Sequence, residues 1–153
     1  MDLSWTHNVT IWSGLAAWLL AQAIKLTEHA ARTGKFDYTY LFNPGGMPSA
    51  HTAACCALAT SIGIRDGMGS PVFALALLVA FIVMYDAQGV RRAAGQQARI
   101  LNQIVEQLRT QHRIQHGKLA ELLGHTRLEV VAGMFFGIAV ALLIHALAGQ
   151  VGI

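Results

Sequence analysis

Residues 9–26 and 130–148 each run apolar for close to the ~20 residues that an α-helix needs to cross the hydrocarbon core of a bilayer, the second without one Asp, Glu, Lys or Arg. In lipid no water is available to the backbone, so segments of this kind close their hydrogen bonds within a helix. Two shorter apolar stretches lie between them, 52–64 and 71–84. The former is too short to cross by itself. It reads as a tilted span, as a span completed by residues 47–51, or as a re-entrant helix covered by its neighbours. With their flanks, hydrophobic helices are expected at about 9–26, 48–64, 71–88 and 128–148. The composition agrees: 54% of the 153 residues are hydrophobic and 12% are charged, against roughly 25% charged in an ordinary soluble domain. The expected fold class is all-α, an integral membrane bundle of about four short hydrophobic helices and one amphipathic helix, in a single domain over 1–153.

The net charge of +3 raises nucleic acid as a partner, but the cations are dispersed between apolar stretches and form no basic tract, so no nucleic-acid partner is expected. Lys25, Arg32 and Lys35 fall between the first and second stretches, and Arg91, Arg92, Arg99, Arg109, Arg113, Lys118 and Arg127 between the third and fourth; only Arg65 lies elsewhere. If all four stretches cross, both cationic loops share one side, which the positive-inside rule makes cytoplasmic. The expected location is a bacterial plasma (inner) membrane with both termini outside. Residues 1–10 have no basic n-region and no small-residue cleavage site, so the first stretch is expected to stay in the mature protein. Cys55 and Cys56 are adjacent and form neither a disulfide framework nor a CxxC site. Between 92 and 123 the chain is polar, yet Ala94, Ala98, Leu101, Ile104, Val105 and Leu108 recur at helical spacing. This predicts an amphipathic helix that lies at the interface, covers a site or pairs with a second copy of the chain.

Four polar clusters stand out against this background. Pro44-Gly45-Gly46-Met47-Pro48-Ser49-Ala50-His51-Thr52 is a turn running into an apolar helix. Ser49 is placed to cap that helix, whose free N–H groups suit a phosphate, and His51 is placed to donate a proton to a leaving oxygen. The plainer alternative is a cap and a headgroup-level histidine. Lys25 and Arg32, seven residues apart, share a helical face if the first helix continues that far, either clamping phosphate oxygens or anchoring at the interface. His125 and Glu129 are one turn apart, so the carboxylate can hold one ring N–H and leave the other nitrogen as a nucleophile; a surface pair is the alternative. Asp86 ends an apolar run close to Arg91 and Arg92, which would add positive charge for a phosphoryl group; a structural Asp86–Arg pair is as good a reading, and a single carboxylate does not imply a metal. The predicted topology puts all four clusters at one membrane face. Together they supply what phosphoryl transfer needs: cations, an in-line nucleophile and an acid.

The strings GGMPSAHTA, MYDAQGVRRAAGQQARILNQ and LGHTRLEVVAG closely resemble the divergent PAP2 family, small membrane proteins related to acid phosphatases and vanadium-dependent haloperoxidases. The resemblance extends from about Trp12 to Ala148. In the wider superfamily three motifs recur, Lys-x6-Arg-Pro, Pro-Ser-Gly-His and Ser-Arg-x5-His-x3-Asp. Lys25 and Arg32 match the first, with Thr33 for Pro. Pro48, Ser49 and His51 match the second, with Ala50 for Gly. His125 and Glu129 match the end of the third, with Glu for Asp and with Leu119 where its Arg would stand; Arg91 or Arg92 is the candidate to replace that charge in space. The resemblance implies Lys25, Arg32 and Ser49 binding phosphate, His51 as general acid, His125 forming a phosphohistidine and Glu129 orienting it, without cofactor or metal. The expected activity is hydrolysis of a lipid phosphate or diphosphate, of polyprenyl or phosphatidic-acid type. The rival readings are a non-catalytic lipid-phosphate binder and a transporter or flippase component, the last resting on Asp86.

Overall fold

A computed structural model describes residues 8–36, 46–110 and 125–151, with the side chains of 90–94, 107–110, 150 and 151 outside that description. Among the described residues there are five α-helices and no strand: α1 Val9–Thr33, α2 Ala50–Asp66, α3 Pro71–Gln88, α4 Val90–Thr110 and α5 Arg127–Val151. Three helices are long and apolar enough to cross a membrane, over Val9–Thr33, Pro71–Gln88 and Arg127–Gly149.

Local chemistry sets the helix starts. Asn8 caps α1 by accepting from the N–H groups of Thr10 and Ile11 at 3.0 and 3.4 Å, and Ser70 caps α3 by accepting from Phe73 N–H at 3.1 Å, with Pro71 in the first turn where its missing N–H is no loss. α1 continues seven residues past the expected end at 26, because residues 27–33 are largely polar but not helix-breaking; the helix stops at Gly34, whose N–H bonds Ala30 O at 2.8 Å. α4 begins directly after Gly89 and carries the amphipathic segment as far as Thr110; residues 111–124, including Leu119, lie outside the described part.

The short α2 is the hub of the bundle, packed by α1, α3 and α5. The core is built of small side chains, Ala17, Ala21, Ala50, Ala53, Ala57, Val140 and Ala141. That is the way helices approach closely in lipid, where apolar bulk alone gives no preference for a neighbouring helix over a lipid tail. α2 and α5 run parallel at a fixed offset of 84 residues, reading Gly133 against Ser49, Gly137 against Ala53 and His145 against Ser61. A Cβ at Gly133 would come within 2.6 Å of Ser49 O, and one at Gly137 would fall on the Ala53 carbonyl, so both positions require glycine. α1 runs antiparallel to α2, with Thr10 beside Ser61, Gly14 against Leu58 and Lys25 against Gly46. On the outside, α3 exposes Val72, Leu75, Leu78, Phe81 and Ile82, an apolar surface suited to lipid.

At the end of the bundle holding the α1 N-terminus, buried Ser61 donates to Thr10 Oγ1 at 3.0 Å and shares a 2.7 Å hydrogen bond with His145 Nε2, joining three helices. Ser61→Ala is expected to lower thermal stability by about 0.6–1.7 kcal/mol, the range for interhelical hydrogen bonds in membrane proteins. Detergent-solubilised protein melting at the wild-type temperature would show that the network holds nothing together.

Candidate active site

The opposite end of the bundle brings one part of each of three sequence motifs to the start of α5. Thr126 and Glu129 form a reciprocal cap at the start of α5: Thr126 N–H donates to Glu129 Oε2 at 3.2 Å and Glu129 N–H donates to Thr126 Oγ1 at 3.3 Å. The same Oε2 lies 2.8 Å from His125 Nδ1. Glu129 is thus fixed by the helix backbone before it meets the imidazole. His125 is itself anchored, since its N–H bonds Ala87 O in the last turn of α3 at 3.2 Å, and it is only 3% exposed.

Ser49 reaches the same place from α2. Its N–H donates to Glu129 O at 3.0 Å, which couples the starts of α2 and α5. It occupies the N-cap position but its side chain makes no capping bond, in contrast to the expectation of an ordinary cap; instead its hydroxyl accepts from Thr52 Oγ1 at 3.1 Å. Both residues are fully buried, closed over by Gly133 of α5. The α2 N–H groups that an N-cap oxygen would accept from are consequently not bonded by the Ser49 side chain.

Lys25 completes the group from α1. It is 5% exposed although it carries an ammonium, its stem lies against Gly46, and its charge interacts with that of Glu129. Burying an ammonium is costly unless it is paired, and the Glu129 charge offsets part of that cost.

The other predicted residues fall differently. α1 does continue through Arg32, but there the helix has left the bundle: the Arg32 side chain is 77% exposed and bonds Glu28 Oε1 at 2.6 Å, away from the buried group. His51 lies on the exposed side of the first turn of α2, whereas Thr52 and Ala53 face the core. Asp86 is half-buried in the last turn of α3, one residue from Ala87. Arg91 and Arg92 stand in the first turn of α4, close in sequence to the Ala87–His125 contact, but their side chains lie outside the described residues, as do Pro44 and Gly45. Among the described residues no three His, Cys, Asp or Glu side chains converge to hold a metal ion.

The sequence reading missed Thr52, Thr126 and the glycine seam. Two of these had a signal: Thr126-Arg127-Leu128-Glu129 has the spacing of a capping box, and Gly133-x3-Gly137 that of a close helix crossing in lipid.

An all-helical bundle with three helices fit to cross a membrane, and a His–Glu pair, a serine and a lysine buried at one end, defines a polytopic membrane protein with a built polar site. Residues 6–140 match the Divergent PAP2 family. Over 148 residues, 90% of this chain and 94% of the relative, the chain is 36% identical to the membrane protein YuiD of Bacillus subtilis (strain 168). The chain belongs to the divergent PAP2 family and is a membrane protein. No solved structure matches it.

Proposed function

We propose that this protein is a membrane-embedded phosphatase acting on a lipid phosphate or diphosphate, with His125 as nucleophile. The observation that carries the reading is the buried His125 Nδ1–Glu129 Oε2 contact of 2.8 Å, with Ser49 N–H on the Glu129 main-chain carbonyl and the buried Lys25 ammonium interacting with the Glu129 charge. A carboxylate on Nδ1 keeps the proton there and leaves the Nε2 lone pair for attack on phosphorus. In the proposed reaction the Nε2–P bond forms as the P–O bond to the lipid breaks, and the leaving oxygen takes its proton from His51. Water then attacks phosphorus, His51 takes back a proton, and the P–N bond opens to release phosphate. Lys25 and the Ser49 hydroxyl neutralise the phosphoryl oxygens, and Arg91 or Arg92 is proposed to add the charge that Leu119 does not supply. The cationic loops support a cytoplasmic face for this site in a bacterial plasma membrane.

The Glu28–Arg32 pair favours a second reading, a lipid-phosphate binder without turnover, because it withdraws one of the expected phosphate cations. One experiment separates the two. Purified protein in nanodiscs is offered polyprenyl and glycerolipid phosphates, wild type beside His125→Ala. The expected result is phosphate release that falls at least a thousandfold in the variant. A folded wild type that binds these lipids but releases no phosphate from any of them would establish the binder instead.

A further inference from the structure

Beside the buried site, on the lateral surface between α1 and α5, runs an open groove of about 650 Å³. Its α1 wall is Ile24, Thr27, Glu28 and Ala31, its α5 wall Ala132 and Phe136, and its floor Met47 and Pro48. The α1 residues follow the i, i+3, i+4, i+7 spacing of a single helical face, and the α5 pair is one turn apart. The lining is largely apolar: Thr27 returns its hydroxyl to Ile24 O at 2.8 Å, and Glu28 is engaged by Arg32 at one end. A groove with apolar walls and a charged pair at one end has the polarity profile of an amphiphile. Its volume falls within the range of ordinary ligand sites.

Each wall is continuous with the site. Ile24 adjoins Lys25, Pro48 adjoins Ser49, and Ala132 lies one turn beyond Glu129. The α5 wall lies within an apolar segment long enough to cross a membrane, whereas most of the α1 wall lies past the end of the apolar stretch at residue 26, so the groove runs from headgroup level at Glu28 towards hydrocarbon at Phe136. We infer that it holds one hydrocarbon chain of the lipid phosphate whose headgroup meets Lys25, Ser49 and His125. This rests on the reading of that site as a phosphate site. The chain enters sideways from the bilayer, and Ala132, the small residue at the junction of groove and site, sets how bulky a chain passes.

The test uses the full chain in phosphatidylcholine nanodiscs and a long-chain alkyl phosphate bearing a mid-chain diazirine, with crosslinks mapped by peptide mass spectrometry. Labelling is expected to concentrate on residues 24–31 and 132–136 and to be competed by the same alkyl phosphate without the diazirine. It should fall at least tenfold in Ala132→Trp and remain in Leu142→Trp, which places the same bulk on an exposed part of α5. If Ala132→Trp does not fold, the competition in wild type decides by itself. Labelling that is uncompeted, or as strong along the exposed face of α3, would overturn the inference. Phosphate release is measured on the same samples: focused labelling without release would remove the phosphatase and keep the groove, whereas release with scattered labelling would do the reverse.

Discussion

Glu129→Gln is expected to lower phosphate release by roughly two to four orders of magnitude while leaving the fold intact. The change is nearly isosteric; a glutamine that turns its NH2 towards His125 gives up the Thr126 N–H contact made by the same oxygen, but residue 129 N–H still donates to Thr126 Oγ1, so the start of α5 keeps half of its cap. What changes is the imidazole. A carboxylate beside Nδ1 can only accept, which forces the proton onto Nδ1, whereas an amide can turn its NH2 towards His125 and leave the proton on Nε2. The lone pair needed for attack is then absent in the prevailing tautomer. Single-turnover phosphate release with protein in excess over lipid phosphate, beside a melting curve, separates this from unfolding. Activity within about threefold of wild type in a folded variant would mean that Glu129 is only a capping residue and the His125 reading is wrong.

Gly137→Val should be the most damaging single substitution for stability. A side chain at 137 has to displace the Ala53 backbone, which lies inside α2 and has α1 on its other side. Overpacking of this kind typically costs up to about 3 kcal/mol, and backbone is a less forgiving neighbour than a flexible side chain. The expected outcome is a large fall in melting temperature and loss of the monodisperse species in detergent. Gly149→Val is the control, since nothing lies within 4 Å of that position, and it should melt like wild type. If both variants melt alike, α2 and α5 are not held at the distance the seam requires.

Much of the site could be read before the fold was known, and the residues that could not be share a physical reason. Lys25, Ser49, His125 and Glu129 stood out because they are polar in or beside apolar stretches, where an unpartnered group is costly. The expected bounds of α3, 71–88, rest on its apolar stretch and flank and agree with the helix, which Ser70 caps, Pro71 opens and Gly89 follows. Arg32 shares the helical face of Lys25, as the spacing says, but spacing along a helix does not reveal where the bundle ends, and Glu28, four residues earlier, takes the guanidinium. The interior itself was hidden. In a soluble protein the buried face is the apolar one, but here lipid-facing and protein-facing sides are both apolar, and only side-chain size tells them apart. Ala53, Gly133 and Gly137 therefore carried no contrast in a hydropathy reading, and neither did Ser61 or His145, polar residues whose partners lie on other helices.

α2 has 17 residues, rich in Ala, and is lodged among three longer helices. A segment so short and so weakly apolar gains little by partitioning into a bilayer alone. Its residence there follows from its companions. Gly133 and Gly137 of α5 lie over Ser49 and Ala53 of α2, and His125 and Glu129 stand at the start of α5. The packing that holds the short helix in place is therefore the packing that forms the polar site, and a chain that loses the one loses the other.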